Sequence, residues 1–221
     1  MSKYLALDCE TGGFEGTSLL SLYCGVYDES FTLLDELELF LRPKDHIYNV
    51  TAEALAINKI NLIEHEKKAI PYNEGGTLLY DFLKRNSTNI QIFIPEGVNI
   101  KDIESYYETG YLTKLITKNP VIELPGVIEK LEPLGHNVVF DIIKIKDNLI
   151  SEGSWLNYVS YRVQDTGTVG NFLKKQGKIP KEISGNLSSY CAHFKVDNSN
   201  AHDAREDVKM TVAVYKEMLK L

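Results

Sequence analysis

Cysteine is scarce in this chain. Its three residues, Cys9, Cys24 and Cys191, are odd in number, far apart, and form no Cys-x-x-Cys pair. That argues against a disulfide framework or a cysteine zinc site, and for a reducing, cytoplasmic compartment. No apolar run reaches the roughly 18–20 residues that a membrane helix needs. The first carboxylate arrives at Asp8, too early for the apolar stretch of a secretory signal. A surplus of positive charge is missing as well: 24 Lys and Arg stand against 31 Asp and Glu, for a net charge of −7. This disfavours a sequence-independent nucleic-acid coating protein. It does not disfavour an enzyme that gathers carboxylates around divalent cations, because the metals supply the local positive charge. There is no P-loop, no Gly-x-Ser-x-Gly elbow and no dinucleotide fingerprint. What remains is an ordinary soluble composition, 43% apolar and 25% charged over 221 residues, long enough for a sizeable core and without repeats or a domain-separating linker.

Residues 3–8 read as a continuous apolar strand, with Asp8-Cys9-Glu10 at its far end and Thr11-Gly12-Gly13 as its turn. Leu19–Tyr27 and Phe31–Leu41 follow as the second and third strands of a meander. Helical spacing runs over Thr51–Ile57, Leu62–Ile70 and Gly76–Arg85. Ile90–Ile94 is strand-like, and Ile100–Ile116 sets Ile103, Tyr107, Tyr111 and Leu115 on one helical face. Leu134-Gly135-His136-Asn137 returns to a strand edge, and Val138–Ile150 is a helix with Asn137 near its N-cap. Gly167–Gln176 is a further helix, and Asn200 can cap a last one from about Ala201 to Leu219. A strand meander followed by helices alternating with strands implies an α/β fold, a mixed sheet with helices packed on it.

Asp8 and Glu10 are two apart on a strand, so both leave the same face. At the end of a buried strand they repel each other and lose hydration, a costly arrangement unless cations bind them. The plainer reading is a strand's exit into solvent. Asp141 falls one turn into a helix, where an acid is favoured by the helix dipole by about 0.3–1 kcal/mol whatever its function. In His202-Asp203-Ala204-Arg205-Glu206-Asp207, Asp203 and Asp207 share a helical face, and so do His202 and Glu206. His202 and Asp207 lie five apart, about 140° around an ideal helix. Spacing alone leaves open which of these acids would bind a metal, or whether the run is a solvated first turn.

Asp8-x-Glu10, then Gly135-His136-Asn137-x-x-Phe140-Asp141, then His202-x-x-x-x-Asp207 resemble, in order, the three motifs of the DEDDh (DnaQ-like) 3′→5′ exonucleases. Ala54–Ile60 resembles the family's segment after the third strand, and Leu187–Cys191 the helix before the last motif. The likeness covers most of the chain except about 87–132, where the family has a shorter connection, so that stretch reads as an insertion. Whether it flanks a substrate groove or lies remote from one stays open. The resemblance implies a single exonuclease domain over residues 1–221 with a ribonuclease H-like mixed sheet. It further implies that Asp8, Glu10, Asp141 and Asp207 bind two divalent cations, Mg²⁺ or Mn²⁺, with His202 as general base. Thr11, Gly12 and Asn137 are carried over as substrate-binding positions, while Arg205 and Glu206 fall at variable positions and receive no role.

The chemistry agrees with that implication. Phosphodiester hydrolysis needs an activated water and stabilised attacking and leaving oxygens, which two cations about 3.5–4 Å apart provide. The expected reaction removes nucleoside 5′-monophosphates from the 3′ end of single-stranded DNA or RNA, with a polymerase or another protein left open as a partner. A catalytically silent fold that only binds nucleic acid or protein is the alternative, and the complete set of acids speaks against it. A related endonuclease or integrase is disfavoured by a histidine five residues before the last aspartate. His46, His65 and His193 show no metal-ligand spacing and read as structural or surface residues. Tyr106, Tyr107 and Tyr111 fit either a core or a base-stacking face.

Overall fold

The structure is a computed structural model that describes residues 3–93, 121–199 and 203–221. It forms two compact units, one of Met1–Asn86 with Lys130–Leu221 and one of Ser87–Glu129. The larger unit is built on a six-stranded mixed sheet. β1 (Tyr4–Thr11), β2 (Leu19–Tyr27) and β3 (Leu33–Arg42) make the antiparallel meander. The short β4 (Ile70–Pro71) joins β3 in parallel. On the other side β7 (Glu132–Gly135) runs parallel to β1, and β8 (Gln164–Asp165) parallel to β7. The order is therefore β4-β3-β2-β1-β7-β8, the expected α/β arrangement of mixed sheet and flanking helices.

Burial explains the strand sequences. Every residue of β2, Leu-Leu-Ser-Leu-Tyr-Cys-Gly-Val-Tyr, is buried. A strand covered on both faces is read as a continuous apolar run rather than an alternation. In β3 Leu39 and Leu41 point into the core while Glu36 and Glu38 stay exposed, the alternation of a half-covered strand. Phe31 belongs to the turn before this strand, at φ 62°, with its ring stacked on Tyr4 at 5.2 Å; β3 accordingly starts later than its apolar pattern suggested.

Around the sheet lie α1 (Ala52–Asn58), α2 (Leu62–Lys68), α3 (Tyr72–Asn86), α4 (Val138–Asn148), α5 (Glu152–Tyr158), α6 (Thr166–Lys175), α7 (Leu187–Phe194) and α8 (Ala204–Met218). α8 is the keystone of one face. Its Ala204, Val208, Val212 and Tyr215 pack on Ala6, Tyr23, Tyr27 and Leu134 of the sheet. Its far side, Met210, Val214 and Met218, meets Leu173, Ile179, Tyr190 and Cys191. Each fully buried aliphatic side chain of this kind contributes about 1.5–3 kcal/mol. α3 packs against β3, and α4 against β1. Among the described residues no helix is long and apolar enough to cross a membrane.

Three helices depart from the sequence pattern. α3 begins at Tyr72, four residues before the expected start, because its glycines serve close packing rather than a turn: a Cβ on Gly76 would lie 2.2 Å from the Leu149 carbonyl oxygen. α8 runs from Ala204 with Asp203 as its cap, while the expected cap Asn200 and start Ala201 lie outside the described residues. α5 was not foreseen, although Ser151 caps it by accepting from Ser154 N. In the smaller unit β5 (Thr88–Phe93) pairs antiparallel with β6 (Val121–Glu129). The expected helix at 100–116, with its tyrosines, lies outside the described residues.

Asn137 stands at the N-cap position of α4, but it is in the left-handed region and makes no side-chain cap bond. The cap comes from elsewhere. Asp165, buried at the end of β8, accepts from Val138 N (2.9 Å) with one carboxylate oxygen and from Thr168 N (2.7 Å) with the other. One side chain thus starts both α4 and α6. With each cap worth about 1 kcal/mol, Asp165→Ala is expected to cost about 2 kcal/mol in urea unfolding, and Asp165→Asn, which keeps only one acceptor oxygen, at least about half of that. A loss of Asp165→Ala stability too small to measure would contradict the double cap.

Candidate active site

Because Ala6 faces α8, Asp8 and Glu10, two and four residues further along β1, face the same helix just past the apolar contact. The first turn of α8 brings Asp207 to them. One carboxylate oxygen each of Asp8, Glu10 and Asp207 lies within 4.8 Å of the other two. Asp141 approaches from α4, which follows the strand beside β1. Its buried carboxylate accepts a hydrogen bond from Cys9 N at 3.1 Å. Three of the four expected acids thus gather at one end of the central strand, and the fourth, Asp141, is near enough for its charge to raise Asp8.

In the last motif Asp207 joins the cluster, while Asp203 caps α8, its Oδ1 accepting from Arg205 N (3.1 Å) and Glu206 N (3.2 Å). Glu206 is turned to the surface, paired with Lys209 at 2.7 Å. His202 lies outside the described residues.

The cluster is electrostatically expensive. Asp8 is held well above the ordinary carboxylate range, first by burial and then by the charges of Asp141, Asp207, Glu10 and Asp203. Burial, followed by Asp207, Asp203 and Asp141, pushes Glu10 up to about 8. Asp141 is pushed up to about 7, burial outweighing the amide bond from Cys9. The Cys9 thiol is itself pushed up by burial, so it stays protonated and is no competitor for a cation. An all-carboxylate donor set suits a hard, oxygen-seeking divalent cation.

The other expected positions surround this centre. Thr11 Oγ1 donates to Gly13 O (2.7 Å), closing the turn after β1. Gly12 donates its N–H to Ser18 O and accepts from Thr51 N, both at 2.8 Å, and a Cβ there would lie 2.3 Å from Asn49 O. Its backbone is therefore committed to the turn. The Asn137 side chain is exposed. His136 is a structural residue by its contacts, with Nδ1 against Thr166 Oγ1 at 2.8 Å and its ring edge-on to Tyr190. His65 is buried and tied through Nε2 to Leu41 O at 2.9 Å. Beside Glu10 opens a pocket of about 250 Å³ lined by Thr11, Gly13, Phe14, Ile57, Asn58 and Phe140. Phe14 is 85% exposed and edge-on to Phe140, with ring centroids 6.2 Å apart.

Two residues without a sequence-derived role support the site. Arg205 Nη2 binds Glu36 Oε1 at 2.7 Å and lies 3.8 Å from Glu38. Its guanidinium covers the ring of Tyr23, whose hydroxyl donates to Glu36 at 2.6 Å. This network pins the first turn of α8, and with it Asp207, to β2 and β3. Asn58, buried, donates from Nδ2 to Thr11 O at 3.1 Å and accepts from Ile60 N, fixing α1 against the end of β1. Neither has a local sequence signal, since both work through strands distant in the chain.

No family model and no curated protein sequence matches this chain. Solved structures do. Exonuclease I aligns over 100% of this chain and 41% of its own, with a TM-score of 0.68 and 18% identity. The zinc-bound form of an E. coli exonuclease I–ssDNA complex covers 98% of this chain and 40% of its own, with a TM-score of 0.65 and 18% identity. An exonuclease I/SSB-Ct complex covers 100% and 41%, with a TM-score of 0.64 and 16% identity. The chain therefore shares the ribonuclease H-like fold of exonuclease I while spanning about 40% of the length of those structures.

The raised acids set a pH dependence whose sign can be stated. Their unfolded values are near 4, so the folded, metal-free protein holds extra protons up to about pH 7 for Asp141 and about pH 8 for Glu10. Their contribution to stability is full below pH 4 and is lost as pH rises through 7 and 8. In chelator, Tm is expected to fall between pH 6 and pH 9, and Asp8→Asn is expected to flatten that fall. Parallel melting curves for wild type and variant across this range would contradict the repulsion.

Proposed function

We propose that the chain is a DEDDh 3′→5′ exonuclease that removes nucleoside 5′-monophosphates from single-stranded DNA or RNA. The observation that carries this reading is the convergence of Asp8, Glu10 and Asp207 within 4.8 Å, with buried Asp141 acting on the same centre. The fold shared with exonuclease I supports it independently.

Asp8, Glu10, Asp141 and Asp207 would hold two divalent cations, Mg²⁺ or Mn²⁺. When bound, these supply positive charge to the attacking and leaving oxygens and lower the pKa of water. The chain's own groups do the rest. His202 takes the proton from the attacking water, a role open to histidine at neutral pH because the free imidazole has a pKa of about 6.5. Phe14, Ile57 and Phe140 receive the terminal nucleobase by stacking and apolar contact. The described residues lining their pocket include Glu53 and no Lys or Arg, while the Lys144 ammonium donates to Phe14 O and lies 5.5 Å from the Phe140 ring centroid. The SSB-Ct complex of exonuclease I supports a protein partner in addition to the nucleic-acid strand.

Two outcomes test the reading. With Mg²⁺ or Mn²⁺, 5′-labelled linear single strands should shorten stepwise from the 3′ end while circular strands stay intact; cleavage of the circle would contradict it. His202→Ala should reduce turnover by about 10²–10⁴ and leave cation binding nearly unchanged, with Asp203→Ala affecting mainly stability. The reverse pattern, damage from Asp203→Ala and none from His202→Ala, would put the last motif in the other register.

A further inference from the structure

A second pocket, of about 240 Å³, shares Glu10 and Asn58 with the aromatic one. Both pockets border the acid centre, and their chemistry differs. The described residues lining the aromatic pocket include no Lys or Arg, the Lys144 ammonium being engaged with Phe14 O; this one is lined by Lys59 and Lys68. Hydrolysis at a scissile phosphate requires room on both sides of it. On one side is the departing terminal nucleoside, which ends in a hydroxyl. On the other is the retained strand, which continues through further phosphates. We propose that the Lys59–Lys68 pocket is the subsite for the retained strand, with the two ammonium groups contacting the phosphate next to the scissile one. This assignment deepens the exonuclease reading and rests on it.

Three observations support it. The pocket's carboxylates other than Glu10 have partners of their own: Glu64 pairs with Lys67 at 2.7 Å, Glu38 lies 3.8 Å from Arg205, and Asp203 accepts the cap bonds of α8. Lys59, by contrast, is exposed and makes no ion pair among the described residues. The Lys68 ammonium is set over the ring of Phe40, 3.3 Å from its centroid, held at the pocket by a cation–π contact. Lys59 closes α1 in the left-handed conformation, φ 56° and ψ 23°, where glycine is the ordinary residue and a Cβ is penalised. A lysine at that position costs stability, and the pocket beside it supplies a reason to keep one.

The test compares a single-stranded oligonucleotide with the p-nitrophenyl ester of thymidine 5′-monophosphate, in which the retained strand is replaced by p-nitrophenol. For Lys59→Gly and Lys68→Ala, kcat/KM on the oligonucleotide should fall about tenfold each relative to the ester, the scale of one lost charge-assisted contact. The salt slope for the oligonucleotide should shrink by about 0.7 for each lysine removed. Lys59→Gly should melt at or above the wild-type temperature, which separates lost binding from lost folding. Unchanged ratios and salt slopes in variants of an active enzyme would overturn the subsite alone. Wild-type protein inert toward both substrates would overturn the exonuclease reading and the subsite with it.

Discussion

Mutual repulsion among the carboxylates at the end of β1 is the constraint on which the rest of this molecule depends. Asp8 sits among Asp141, Asp207, Glu10 and Asp203, and every one of those charges raises it further. No fold would assemble this group for stability, since buried like charges cost several kcal/mol unless protonated or matched by a cation. The surrounding structure holds it together by spending apolar burial one step away. Ala6, on the same face of β1, is clamped by Ala204, Val208 and Val212 of α8. The Arg205–Glu36–Tyr23 network fixes the approach of that helix, and Asp165 fixes the start of the helix that carries Asp141. Strain concentrated at one centre and offset elsewhere is the pattern expected of a functional site.

Much of this was legible in the sequence, for identifiable reasons. Asp8 and Glu10 follow a strand so uniformly apolar that their common face and end position need no tertiary information. The completely buried β2 and the half-covered β3 produce their own characteristic patterns. The pairing of distant motifs became readable only through the resemblance, because nothing local to Asp141 or Asp207 says that they meet Asp8.

What escaped the sequence depends on partners far along the chain. The residue expected to cap α4, Asn137, has the right type and position, but Asp165 reaches its first amide from β8 and also serves α6. β8 itself is two residues long and carries no pattern. The start of α3 was hidden by Gly75 and Gly76, which look like a turn and instead allow close approach to Leu41 and Leu149. Asp203 and Asp207 could be told apart only once Asp207 was seen beside Asp8 and Glu10, with Asp203 Oδ1 accepting the cap bonds of α8.

The central claim is that these acids are a cation site kept partly protonated until it is filled. Calorimetric titration with Mn²⁺ at pH 7, repeated in buffers of different ionisation enthalpy, measures stoichiometry and proton release together. With Glu10 raised to about 8 and Asp141 to about 7, two cations should bind per chain with net release of at least about one proton, and Asp8→Asn should diminish both. Binding without proton release, or binding unaffected by Asp8→Asn, would contradict the account.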